Sequence, residues 1–172
     1  PFFVISDYLT QNGIAVLRFD DRGIAQSTGN HDTATSEDFA KDVISAVEFL
    51  KERKEIDNTK IGLIGHSEGG MIAPLAAVQS NDVAFMVMMA GLGIPGDSIL
   101  YLQGELIQRA EGMSEEEIQK SVKTQREVFS IVKSSNDDEK LVADLKEKFY
   151  AEYSTMTEEE KTKLGDPEVY LN

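Results

Sequence analysis

The segment Lys60-Ile61-Gly62-Leu63-Ile64-Gly65-His66-Ser67-Glu68-Gly69-Gly70-Met71-Ile72-Ala73 decides how this chain is read. An apolar run ends on Gly65, Gly69-Gly70 leads into a helical pattern, and Ser67 lies between them in the spacing G-x-S-x-G. Three fixed residues of these types meet by chance in about one chain in twenty of this length, so the setting counts for more than the motif. A strand before and a helix after is the setting that holds a serine at the tip of a tight turn, its hydroxyl clear of the backbone. Gly65 and Gly69, on either side of the serine, are read as positions where any side chain would strike the neighbouring strand or helix, and Gly70 as a further structural residue at the site. Because the turn opens a helix, backbone N–H groups and the positive end of the helix dipole face the serine oxygen. The Glu68 N–H is thereby placed to hold an oxyanion. The competing reading is an ordinary serine in a Gly-rich turn.

The chain has 172 residues, enough for a sizeable core, and its hydrophobic and charged shares are those of a soluble globular protein. A net charge of −14 leaves no basic face to displace counterions from phosphates, which argues against nucleic acid and against an anionic membrane surface. The absence of cysteine excludes disulfides, thiolate metal sites and Cys nucleophiles; two histidines are too few for most imidazole sites, so no metal is expected. No run approaches the ~18 apolar residues of a membrane span, and Pro1-Phe2-Phe3-Val4-Ile5 lacks the basic flank of a signal peptide. With no initiator methionine and a start inside an apolar helical pattern, the chain is expected to be a fragment. Its compartment stays open, cytoplasmic or exported.

Phe2, Phe3, Ile5, Tyr8 and Leu9 recur at helical spacing up to a stop at Gln11-Asn12-Gly13. Ile14 to Phe19 reads as a buried strand ended by Asp20-Asp21-Arg22-Gly23, and a polar loop follows from Ile24 to Thr35. Thr35 with Asp38 predicts a capping box for a helix striped by Phe39, Val43, Ala46, Val47 and Leu50. The elbow strand comes next, then a helix that Pro74 should kink, then a third strand over Val83 to Met89. Helix alternating with strand predicts an α/β fold with a parallel sheet.

Beyond Gly93 to Gly96 the pattern is helical throughout. Ser98 to Ala110 stops at Gly112. Ser114 with Glu117, Asn136 with Glu139, and Thr157 with Glu160 each open a further helix, the last stopped at Gly165 before Asp166-Pro167. The expected division is 1–94 as an α/β core carrying the elbow and 95–172 as an all-helical segment.

Asn12 to Gly23 followed by Gly65-His66-Ser67-Glu68-Gly69-Gly70 resembles bacterial α/β-hydrolases, in the branch of serine-aminopeptidase-like and acyl-thioesterase-like esterases. The resemblance covers about residues 2 to 95, and the helical tail resembles the cap, or lid, that such enzymes insert. It implies a partial α/β-hydrolase core of three parallel strands with flanking helices. Asp21, Arg22 and Gly23 would form a structural turn below the active site, and Ser67 would be the nucleophile. It also implies a second oxyanion N–H upstream of Pro1, and a triad acid and histidine downstream of Asn172. The chain as given is therefore expected to be inactive.

A serine hydroxyl needs a base to take its proton. His66 adjoins Ser67, but neighbours on such a turn diverge, so it is read as packing against the core. His31 lies at the carboxyl-end side of the sheet and is read as a solvated loop histidine that could approach the site. Asp97 stands where some α/β-hydrolases carry the acid, yet Asp97-Ser98 reads more simply as helix capping. Asp20-Asp21 as a paired acid or metal site is set aside for a turn that pairs Asp21 with Arg22 or with backbone N–H groups. Gly91-Leu92-Gly93-Ile94-Pro95-Gly96 satisfies G-x-G-x-x-G, but no acid-ended strand follows about twenty residues on; it is read as a hinge, and no cofactor is expected.

The expected function is a serine hydrolase cleaving a small-molecule carboxylic ester or thioester, with aminopeptidase or acyltransferase chemistry as alternatives. Tyr101, Leu102, Leu106, Phe129, Phe149 and Tyr150 of the cap are expected either to roof an acyl pocket or to form the cap's own core. A reading of a different class makes the chain a non-catalytic fragment that dimerises or oligomerises through exposed sheet edges.

Overall fold

A computed structural model describes residues 2–165, which fall into two compact units divided between Gly93 and Ile94. The first unit carries helix α1 (Phe2–Gln11), helix α2 (Ser36–Lys51), strand β1 (Gly62–His66), helix α3 (Gly69–Ala77) and strand β2 (Phe85–Met89). The second carries α4 (Gly96–Ala110), α5 (Glu115–Ser134), α6 (Asp138–Thr155) and α7 (Glu158–Leu164). The predicted stop at Asp166-Pro167 lies outside the described residues.

Helix boundaries follow local chemistry. α1 ends in a Schellman arrangement: Gly13 takes φ +81°, and the Ile14 N–H reaches back to the Leu9 carbonyl at 3.0 Å. α2, α5 and α7 open on complete capping boxes, Thr35/Asp38, Ser114/Glu117 and Thr157/Glu160. α6 corrects one expectation: Asp137, not Asn136, caps it, accepting from the Lys140 N–H at 2.8 Å. Pro74 lies inside α3.

The sheet is smaller than the sequence pattern promised. β1 and β2 pair in parallel, Gly62 opposite Phe85 through His66 opposite Met89, and no third strand joins them among the described residues. Ile14 to Phe19 forms neither strand nor helix, and among the described residues the N–H groups of residues 15–22 find no backbone acceptor. Apolar, β-branched composition reports a segment suited to a sheet; it does not supply the neighbouring strand that would complete the ladder.

The core of the first unit forms where α3 packs on α2 and on both strands, burying Ala40, Val47, Ile61, Ala73 and Ala76. Outside it, Phe2, Phe3, Val4, Tyr8, Ile64, Phe85, Val87 and Met88 remain exposed. In the second unit α5 packs on α4 and α6, and Ile118 and Val122 are its buried centre. Tyr101 meets Phe129 edge to face at 5.6 Å, Phe149 stacks with Tyr153 at 6.1 Å, and Leu102, Leu106 and Tyr150 stay exposed.

Candidate active site

Ser67 is the first residue after β1 and has φ +54°, a left-handed conformation that a residue bearing a Cβ rarely adopts. Two features hold it there. Its N–H donates to the Met89 carbonyl at 3.0 Å, continuing the ladder one rung past the strand. Its carbonyl accepts from the Gly70 N–H at 2.9 Å, opening the first turn of α3. The serine is thus bolted to β2 on one side and to α3 on the other.

Two glycines make the bend possible by absence of volume. A Cβ on Gly65 would lie 1.9 Å from the Gly69 carbonyl oxygen, and one on Gly70 would lie 2.5 Å from the Gly91 Cα. Gly69 departs from expectation, since a Cβ there meets nothing within 4 Å. Two residues of the G-x-S-x-G-G run are therefore sterically fixed as glycine, and the one at 69 is not.

The donors near the hydroxyl are distinct. With the Ser67 N–H committed to Met89, the N–H groups of Glu68 and Gly69 are free of protein acceptors among the described residues. These are orphan donors of a helix N-terminus, which suit an anion. The Glu68 side chain does not cap its own helix; it accepts a hydrogen bond from Ser36 Oγ at 2.9 Å, thirty-two residues back at the start of α2.

A cavity of about 580 Å³ opens beside Ser67 and Glu68, lined also by Asp21, His31, His66, Phe39 and Ile72. Both histidines reach this cavity, yet neither is hydrogen-bonded to Ser67 among the described residues. The His66 ring packs edge-on against Phe2 at 5.8 Å, and His31 lies against Phe39 at 5.6 Å with Nδ1 3.9 Å from the Asp32 carboxylate. His66 is exposed, not packed in a core.

Arg22 does not pair with Asp21. Its guanidinium holds both Asp42 oxygens at 2.7 Å and the Asp38 carbonyl at 3.0 Å, fastening the Asp-Arg-Gly turn to α2. The fork of N–H donors fits a carboxylate edge-on, and Asp42 presents both of its oxygens to it from α2. Gly23, at φ +74°, leaves no room for a side chain, since a Cβ would lie 2.7 Å from the His31 N–H nitrogen. Asp97 sits in the first turn of α4, which Pro95 caps, and its carboxylate pairs with Lys133; that hydrogen bond holds it below the ordinary carboxylate range. Among the described residues no group of three His, Asp or Glu side chains is arranged to hold a metal ion, and no helix is long and apolar enough to cross a membrane.

Sequence reasoning missed Asp42 and Ser36, both brought to the site by tertiary packing. The only local hint was their place on the polar face of the helix after the Asp-Arg-Gly turn.

Residues 2–157 match the family model described as "Serine aminopeptidase, S33". An uncharacterized 31.7 kDa protein of the traX-finO intergenic region of Escherichia coli is 35% identical over 78 residues, 45% of this chain and 27% of that protein. Esterase EstD of Thermotoga maritima is 29% identical over 100 residues, 58% of this chain and 24% of the esterase. The chain thus spans about a quarter of the length of the curated relatives it matches. No solved structure matches. With the family model covering nearly the whole described chain and the elbow in place, the chain belongs to the S33 serine aminopeptidase family of α/β-hydrolases.

Proposed function

We propose that the whole protein is a serine hydrolase that cleaves carboxylic esters or thioesters through an acyl-enzyme on Ser67. The observation that carries this reading is the elbow itself: Ser67 at φ +54°, its own N–H spent on Met89, and the Glu68 N–H free beside it. The printed name of the Thermotoga relative, an esterase, supports the choice of substrate class. In this reading Oγ attacks the carbonyl carbon as its proton passes to a histidine outside this chain. The Glu68 N–H and a second N–H from elsewhere in the protein hold the oxyanion. The C–O or C–S bond then breaks, the leaving group takes the proton, and water repeats the sequence to free the acid. Residues 95–172 are the cap insertion. The same elbow would serve amide cleavage or transfer to another acceptor, so peptidase and acyltransferase activities are the variants to assay beside esters.

The test is fluorophosphonate labelling and short-chain ester turnover by the whole protein. Labelling and turnover that vanish in Ser67→Ala support the assignment; a Ser67→Ala protein that still labels and turns over fully ends it.

A second reading concerns the 172-residue chain by itself. Both outer edges of its two-stranded sheet are unpaired among the described residues, and Ile64, Phe85 and Val87 are exposed. Such edges template pairing with another copy. We propose that the isolated chain self-associates and does not turn over; light scattering that finds a stable monomer at micromolar concentration would refute it.

A further inference from the structure

We infer that the first turn of α2 positions the oxyanion donor, acting through the Ser36–Glu68 hydrogen bond. The inference rests on the acyl-transfer reading of Ser67. Stabilising an oxyanion depends on a donor held where the charge develops, because reorganisation during the reaction would forfeit the gain. The peptide that carries the Glu68 N–H is fixed on the Ser67 side by the rung to Met89. On its far side the Glu68 carbonyl accepts from the N–H groups of Met71 and Ile72, at 2.8 and 2.9 Å. The Ser67 carbonyl of that same peptide accepts from the Gly70 N–H at 2.9 Å. All of these restraints act along the backbone. The side chain adds one that does not, and it points to α2: Glu68 Oε1 accepts from Ser36 Oγ at 2.9 Å.

That anchor is itself held. The Thr35/Asp38 capping box fixes the first turn of α2, and Arg22 clamps the same helix through Asp42 and the Asp38 carbonyl. A continuous set of hydrogen bonds therefore runs from the turn at Arg22, through the start of α2, to the residue after the nucleophile. Ser36 and Glu68 are positioning residues here; neither side chain is assigned contact with the reacting atoms.

The experiment compares Ser36→Ala, Ser36→Thr, Glu68→Ala, Glu68→Gln and the Ser36→Ala/Glu68→Ala double variant in the whole protein. The readouts are kcat and KM for a short-chain p-nitrophenyl ester, together with melting temperature. Losing an oxyanion donor outright costs about 10²–10³ in kcat, so loosening one is expected to cost roughly three- to tenfold. Ser36→Ala and Glu68→Ala should each show that fall with KM nearly unchanged, and the double variant should fall no further than either single, because both remove one bond. Ser36→Thr keeps the hydroxyl and Glu68→Gln keeps an acceptor, so both should restore kcat. Since the Thr35/Asp38 box is untouched, melting temperature should hold while kcat falls.

A Ser36→Ala enzyme at full kcat overturns the inference, as do effects that multiply in the double variant, or a kcat loss that the hydroxyl-bearing Ser36→Thr fails to recover. If the wild type cleaves no ester, thioester or peptide amide, or Ser67→Ala retains turnover, the hydrolase reading falls and this inference with it. If Ser67→Ala is dead while Ser36→Ala is silent, only the inference about α2 falls.

Discussion

Gly70 and Gly91 meet backbone to backbone: a Cβ on Gly70 would stand 2.5 Å from the Gly91 Cα and 3.1 Å from its nitrogen. This close approach seats the first turn of α3 against the segment that leaves β2, and it leaves no flexible side chain that could yield. Gly70→Ala is therefore expected to destabilise by about 3 kcal/mol, at the upper end of overpacking costs, because backbone must move. Gly69→Ala is the matched control. It lies in the same helical turn with nothing within 4 Å, so alanine should be neutral or stabilising by about 0.5–1 kcal/mol through reduced freedom of the unfolded chain. Urea unfolding of the two variants decides the matter, and equal stabilities would contradict the contact.

The Arg22–Asp42 pair predicts that charge alone will not serve at position 22. An ammonium cannot hold both carboxylate oxygens and the Asp38 carbonyl together as the guanidinium does. Arg22→Lys should lower the melting temperature nearly as far as Arg22→Ala, and Asp42→Asn should lower it as well. A lysine variant that melts with the wild type would show that the turn is held by other contacts.

What the sequence made legible was local. Capping boxes at Thr35, Ser114 and Thr157 announce helix starts because the residues that satisfy the first N–H groups lie within four positions of each other. The elbow was legible for the same reason, since its glycines and serine occupy one turn. Contacts between distant segments were not. Ile14 to Phe19 has a strand's composition, but pairing depends on a neighbour the pattern does not encode. Arg22 found Asp42, twenty residues away, where reading neighbours suggested Asp21; Glu68 found Ser36, thirty-two away, a partner that no reading of neighbours suggested. Gly69 and Gly70 look alike in sequence, and only packing against Gly91 separates them.

The two histidines beside the cavity are expected to be dispensable. Each ring is engaged with an aromatic neighbour, Phe2 for His66 and Phe39 for His31, and neither bonds to Ser67 among the described residues. Loss of a general base costs roughly 10²–10⁴ in rate. His31→Ala and His66→Ala should each keep kcat within about threefold in the whole protein, with the acid limb of the pH profile unmoved. A collapse of kcat with loss of that limb in His31→Ala would make the loop histidine the base.

Acid should weaken the first unit through two carboxylates near helix starts. Asp38 is held down to about 2 from 3.8, first by its hydrogen bond to Lys41 and then by the Thr35 N–H and hydroxyl. Asp57 is held down to about 2 as well, first by Lys60 and then by the hydroxyl and N–H of Thr59. Both groups bind their proton more weakly when folded than when unfolded. Their stabilisation is therefore complete above about pH 4, where the unfolded carboxylates ionise, and is lost as pH falls toward about 2. Both are solvent-facing, so the effect is modest and salt-sensitive, and urea is the denaturant to use because guanidinium would screen it. Asp38→Asn/Asp57→Asn should show a shallower fall in the urea midpoint between about pH 4 and pH 2 than the wild type. An identical slope would mean that these two carboxylates titrate alike in the folded and unfolded chains, and that the ion pairs with Lys41 and Lys60 do not hold them in the ionised form.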